Sequence, residues 1–244
     1  LVHHHSQSIN SEANKNFHIT KRKHTDRKTF LLWHKICADF AKTQGYKNHY
    51  LSGHPVFFDE WVSVVNEYVK SNKSKDPFVV IYTRGVHENF MDEDKYEILL
   101  KNSYDKVRKV FGNIKIIIKP HPREDINFIK KFISNNFMEN IRITNLNSHV
   151  LSAESICVIS LWTSCILGSL ALKKPSIEYF IEPKNFRDRE YPNGSLHQRP
   201  EFGIQCTSDE HELEGFLRKV YKKEEFNFEK VKSNFNVKDL NCFY

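Results

Sequence analysis

Beyond residue 77 the chain repeats one pattern: a short apolar run rich in β-branched residues, a polar break, then a longer stretch with helical spacing. The runs predict strands over 78–82, 114–118, 141–144, 156–160, 176–180 and 204–206, being too short for helices and bounded by turn residues. Between them the apolar spacing predicts helices over 93–111, 124–137, 163–172 and 210–221, with a shorter helical piece over 149–153. Strands separated by helices pair in parallel through crossovers. The alternation therefore predicts an α/β fold, a Rossmann-like doubly wound parallel sheet. Such sheets bind ligands in the crevice past the carboxyl ends of their strands, so the chemistry is sought in the loops there.

The loop after the second run carries the most. In I-K-I-I-I-K-P-H-P-R-E-D, over 114–125, Pro120 and Pro122 cannot donate to a ladder and end the strand. His121 is left between them, flanked by Lys119 and Arg123. A helix starting next would add unpaired backbone amides, completing a phosphate site in outline. Thr83-Arg84-Gly85 follows the first run; Gly85 permits close backbone approach and Arg84 can grip a phosphate with two parallel hydrogen bonds. Leu161-Trp162-Thr163-Ser164 follows the fourth, placing two hydroxyls at a helix mouth. Glu178 ends the fifth, where a carboxylate commonly reaches a ribose hydroxyl.

Each residue also has a plainer reading. His121 between prolines could serve a tight turn, Thr163 and Ser164 could cap a helix, Arg84 could be a solvated charge, and Glu178 could pair with a lysine. His87 is a secondary candidate for donor or acceptor contact, and His54 reads as structural. Phe128, Phe132 and Phe137 share a helical spacing and are expected in the core.

The first 77 residues read differently. Residues 1–27 are polar and cationic without periodicity, and His3, His4 and His5 suit either the stub of an expression tag or a native strand end. A helix is expected over 28–42 and a short strand over 48–52. After the turn at Gly53-His54-Pro55, a helix over 59–70 is expected, with Asp59 as its cap and Trp61, Val64, Val65 and Tyr68 on one face. Residues 71–77 form the linker, so the division is 1–70 as a partial N-terminal domain, 78–225 as the Rossmann-like domain and 226–244 as a tail or helix.

Composition excludes little beyond this. With 39% hydrophobic and 27% charged residues, and no apolar run near the roughly 20 residues of a membrane span, the chain reads as globular. The net charge of +7 suits anionic ligands or an anionic membrane surface. Its charges are scattered and lack an aromatic-basic face, so no nucleic-acid partner is expected. The five cysteines show no metal spacing and suggest thiols in a reducing, cytoplasmic compartment. No Asp-x-Asp pair suited to a divalent ion is evident, so no metal and no cofactor is expected.

Three segments together carry a resemblance. Lys119-Pro120-His121-Pro122, Val158-Ile159-Ser160-Leu161-Trp162-Thr163-Ser164 and Leu170-Ala171-Leu172-Lys173-Lys174-Pro175-Ser176-Ile177 look like the C-terminal half of GT-B glycosyltransferases. The resemblance is to bacterial surface-polysaccharide enzymes: CDP-glycerol glycerophosphotransferases, capsule Kdo transferases and bacterial sialyl- and polysialyltransferases. In those families a His-Pro motif and a Ser/Thr motif hold the donor's phosphate, which by position implies His121-Pro122 and Thr163-Ser164. Gly53-His54-Pro55, with Asp59 and Trp61, resembles the Gly-Tyr-Pro segment ending their N-terminal domain. The likeness covers roughly residues 47–222. Two departures stand beside it. About 75 residues precede the Rossmann-like part, roughly half of one domain of 100–150 residues, so the catalytic base is expected from an N-terminal region this chain largely lacks. The family's Asp-Tyr-Ser-Ser is here Leu161-Trp162-Thr163-Ser164, without the acid.

What the resemblance implies is transfer of a sugar, or of glycerol phosphate, from a CMP- or CDP-linked donor to a surface or capsular glycan, at the cytoplasmic face of the membrane. His121 would be catalytic, and Arg84, Gly85, Lys119, Arg123, Thr163, Ser164 and Glu178 would bind the donor. Two alternatives stay open: a nonhydrolysing UDP-GlcNAc 2-epimerase-like enzyme, and a non-catalytic nucleotide- or glycan-binding domain.

Overall fold

In the computed structural model the described residues are 2–3, 30–33, 49–71, 76–86, 91–181 and 203–235. Their centre is a six-stranded, wholly parallel sheet: β4 (Phe78–Tyr82), β5 (Lys115–Lys119), β6 (Ile141–Ile143), β7 (Cys157–Ser160), β8 (Ser176–Tyr179) and β9 (Cys206–Thr207), in the order β6-β5-β4-β7-β8-β9. The chain winds outward from β4 through β5 to β6, then returns past β4 and winds the other way. The order thus reverses between β4 and β7, whose register sets Val80 beside Val158 and Tyr82 beside Ser160. That pair is the topological switch point of a doubly wound sheet.

Helices cover both faces. Val79, Ile81, Ile116, Ile118, Cys157, Ile159, Ile177 and Tyr179 alternate onto one face, as the period-2 geometry of a strand requires. They meet Leu99, Leu100 and Val107 of α2 (Glu93–Phe111), Ile129 and Phe132 of α3 (Ile126–Asn135), and Leu213, Phe216 and Leu217 of α6 (Glu210–Tyr221). On the opposite face Phe78, Val80, Tyr82, Ile117 and Val158 pack on Leu151 of α4 (Ser148–Glu154). Burial on both faces explains why the strands read as continuous apolar runs.

The N-terminal elements form a second parallel sheet of β1 (Val2–His3), β2 (Phe30–Leu32) and β3 (His49–Leu51), followed by a 3-10 turn at Pro55–Phe57 and α1 (Asp59–Ser71). Phe57 of that turn joins Ile166, Leu167 and Leu170 of α5 (Cys165–Ala171) and Val231 and Phe235 of α7 (Glu229–Phe235) in one cluster. Phe57 and Phe235 stack at 5.3 Å and 10°, and the His54 amide donates to the Phe235 carbonyl at 2.7 Å. Of the expected tail over 226–244, residues Glu229–Phe235 form a helix packed on the N-terminal elements, and 236–244 lie outside the described residues.

Several expectations need correction. Residues 30–32 are a strand paired with β3 rather than the start of a helix over 28–42, because the apolar Phe-Leu-Leu run serves either period. The rest of that helix, most of the linker, and His87 lie outside the described residues. Phe58, whose carbonyl accepts from the Val62 amide, precedes α1 where Asp59 was expected to cap it. On α1 Val65 is buried, whereas Trp61, Val64 and Tyr68 are exposed. Phe132 is core, but Phe137 is 88% exposed beyond the end of α3.

Candidate functional site

The loops after β4, β5 and β7 meet at the switch point. The first is Thr83-Arg84-Gly85, tied to its neighbours by two backbone bonds: Thr83 donates to the Lys119 carbonyl at 3.2 Å, and Leu161 to the Tyr82 carbonyl at 2.8 Å. Arg84 is half-buried and its Nη1 donates to the Trp162 carbonyl at 3.4 Å, linking the first loop to the third. The open side of Gly85 (φ +84°) is filled by the Glu124 side chain; a Cβ there would lie 2.8 Å from Cγ. Glycine is thus required here by conformation and by space, and the atoms approaching it most closely belong to the protein.

The second loop is a closed turn. The Glu124 amide donates to the His121 carbonyl at 2.9 Å, and the His121 amide donates to Glu124 Oε2 at 2.9 Å. The Arg123 amide donates to His121 Nδ1 at 3.2 Å. An imidazole whose Nδ1 accepts must carry its proton on Nε2 when neutral. Burial, then the charges of Arg84, Arg123 and Lys119, hold the His121 pKa below its ordinary 6.5. The ring is therefore neutral at pH 7 and presents Nε2–H as a donor. Three loop cations within electrostatic reach of one imidazole make this an electropositive crevice.

The helix expected to add unpaired amides beside His121 has one of them already paired. It begins at Ile126, and Asp125 caps it by accepting from the Asn127 amide at 2.8 Å. Asp125 is the better cap because its short carboxylate reaches the second amide of the helix.

The third loop turns sharply. Trp162 sits at φ +58°, a region costly for a side chain with a Cβ. Its ring is buried against Phe180, with centroids 5.9 Å apart and planes at 73°. Ser160 closes the turn, its Oγ donating to the Thr163 carbonyl at 3.0 Å and accepting from the Thr163 amide at 3.3 Å. The two hydroxyls of the expected pair part company. Thr163 is buried and its Oγ1 accepts from the Cys165 amide at 3.3 Å, the cap reading. Ser164 is exposed and its hydroxyl caps nothing. Glu178 lies fully buried in β8, in register with Ser160.

Glu124 precedes the helix rather than opening it, so the helix expected over 124–137 conceals its role. It is instead a half-buried carboxylate accepting from Thr83 Oγ1 at 2.7 Å and Tyr96 OH at 2.5 Å besides the His121 amide. Burial raises its pKa against these three bonds. Its signal was the neighbouring Asp125, which caps a helix better than Glu. Among the described residues, no three His, Cys, Asp or Glu side chains gather as a metal site. Nor is any helix long and apolar enough to cross a membrane. Cys157 and Cys165 are free thiols, and burial pushes the Cys157 pKa up to about 12.

Sheet order and crevice define a Rossmann-like α/β unit with a cationic switch point. No family model and no curated protein sequence matches the chain, but solved structures do. A variant of the wall teichoic acid polymerase TagF is similar at TM-score 0.54 and 16% identity, over 88% of this chain and 55% of that one. UDP-N-acetylglucosamine 2-epimerase from Rickettsia bellii is similar at TM-score 0.55 and 16% identity, over 88% and 57%. The pneumococcal O-GlcNAc transferase GtfA, solved with UDP and GlcNAc, is similar at TM-score 0.51 and 10% identity, over 89% and 42%. The likeness shows a shared Rossmann-like α/β fold, and the chain spans about half the length of the structures it matches.

Proposed function

We propose that this chain is the donor-binding part of a GT-B glycosyltransferase, or glycerophosphotransferase, using a nucleotide-activated donor. The observation that carries the reading is the convergence of Arg84, Lys119 and Arg123 on a neutral His121 whose Nε2–H is left to donate. It is supported by the similarity to GtfA, solved with UDP and GlcNAc, and to TagF, one form of which was soaked with CDPG.

In this reading the donor's phosphates lie across the switch point. As the bond from the transferred group to the phosphate oxygen breaks, the electron pair stays on that oxygen. The developing charge meets Nε2–H of His121 and the guanidinium of Arg84, held in place before the reaction, so the contribution is electrostatic and positional. Lys119 and Arg123 make the potential around them more positive and so favour that charge. Ser164 offers an uncommitted hydroxyl. The acceptor's proton goes to a base from the N-terminal region. The motif resemblance favours a cytidine donor, a surface or capsular glycan acceptor, and work at the cytoplasmic membrane face, where the +7 charge meets anionic lipid.

Thermal-shift screening with CMP, CDP, UMP, UDP and GDP tests the reading, since a ligand binding the native state raises Tm. A cytidine nucleotide should give the largest shift, and His121→Ala should remove it. No shift with any nucleotide would refute donor binding. A second reading is favoured by the epimerase similarity, at TM-score 0.55 against 0.54 for TagF: conversion of UDP-N-acetylglucosamine with no acceptor present would establish it.

A further inference from the structure

We propose that Glu124 is the positioning residue of this crevice: its carboxylate fixes the Arg84 loop against the His121 loop and so aims Nε2–H at the ligand. The inference rests on the reading of the crevice as a phosphate site.

Glu124 holds both neighbours of Arg84. Thr83, on one side, donates to Oε2 at 2.7 Å, and Gly85, on the other, is covered by the aliphatic stem of the same side chain. Oε2 also accepts from the amide of His121, and the Glu124 amide returns a bond to the His121 carbonyl, both at 2.9 Å. Oε1 accepts from Tyr96 OH on α2. One carboxylate therefore joins the loop after β4, the helix α2 and the turn after β5. Tyr96 is itself fully buried, its ring against Phe128 of α3 at 5.6 Å, so this anchor belongs to the packed interior rather than to the loops. Loss of the carboxylate would leave the His121 amide and the Thr83 hydroxyl without their common acceptor. The turn that hands the Arg123 amide to Nδ1, and with it the choice of tautomer, would lose its outer fastening.

Geometry and charge can be separated. Gln at 124 can place its oxygen where Oε2 sits, keeping the Thr83 and His121 bonds, and its amide can donate to the Tyr96 oxygen. Asp keeps the charge but is one methylene too short to reach all three. The experiment compares wild type, Glu124→Gln, Glu124→Asp and Glu124→Ala by two readouts. Long-range 1H–15N spectra report the His121 tautomer in the unliganded protein, and calorimetry reports the affinity for CDP and UDP. Expected are a single Nε2–H tautomer and affinity at or above wild type in Glu124→Gln. Glu124→Asp should give mixed tautomers and roughly tenfold weaker binding, the loss of about one charge-assisted hydrogen bond. Glu124→Ala should fall further; if it fails to fold, the Gln and Asp variants decide. Wild-type tautomer and affinity in Glu124→Asp would overturn the proposal, as would Glu124→Gln behaving like Asp. If wild type binds neither nucleotide, the phosphate reading fails while the tautomer still decides the role of Glu124.

Discussion

Arg84→Ala tests whether this guanidinium grips the donor's phosphate, and urea denaturation of the same variant reads any cost to folding. The Arg84 bond to the Trp162 carbonyl is long at 3.4 Å and half-exposed, so that one contact should be worth less than about 1 kcal/mol. A charged contact to phosphate is worth about 1.5–3 kcal/mol, so nucleotide affinity should fall roughly 10- to 150-fold at fixed ionic strength. Arg84 is also the first charge, after burial, that holds the His121 pKa down. Its removal should raise that midpoint toward 6.5. Calorimetry with CDP or UDP and an NMR titration of the imidazole give both numbers on one sample. Arg84→Lys should keep most of the midpoint effect and lose part of the affinity, since an ammonium cannot fork. Affinity within twofold of wild type together with an unmoved His121 midpoint would refute the placement of this guanidinium in the site.

Gly85→Ala should cost more than 1–3 kcal/mol of stability, roughly the price of a strained backbone residue, because the new Cβ would also meet Glu124 Cγ at 2.8 Å; urea denaturation measures it. Gly168→Ala in α5 would put a Cβ 2.6 Å from the His149 ring, for an overpacking loss of about 1–3 kcal/mol. Adding His149→Ala should recover part of it, and strict additivity in this pair would contradict the contact. Glu214, paired with Lys109 at 2.8 Å and Arg218 at 2.7 Å, has its carboxyl held down to about 2 by those partners. A depressed folded pKa contributes stability that is whole above the unfolded 4.5 and lost as pH falls toward 2. Lys109→Ala should flatten that acid limb in chemical denaturation followed against pH.

How much of this was legible depends on which physical signal each element carries. The sheet was readable because β4 and the central residues of β5 and β7 are buried on both faces and so read as apolar runs, while α2 and α6 bury one stripe. Phe30–Leu32 misled because three apolar residues fit either period, and pairing with β3, a tertiary fact, decided the outcome. Arg84, Lys119, His121 and Arg123 could be found from strand ends and prolines. The partition of Thr163 from Ser164, and the inward turn of Glu124, depend on a positive φ at Trp162 and on bonds between residues 28 and 41 apart in sequence. Local pattern carries no trace of such bonds.

A crystal structure of the chain with CDP or UDP tests the central claim most directly. The diphosphate should lie at the β4–β7 switch point, with one oxygen about 3 Å from His121 Nε2 and another on the Arg84 guanidinium. A nucleotide bound elsewhere, or a His121 whose Nε2 faces the protein interior while the phosphates go past it, would contradict the account.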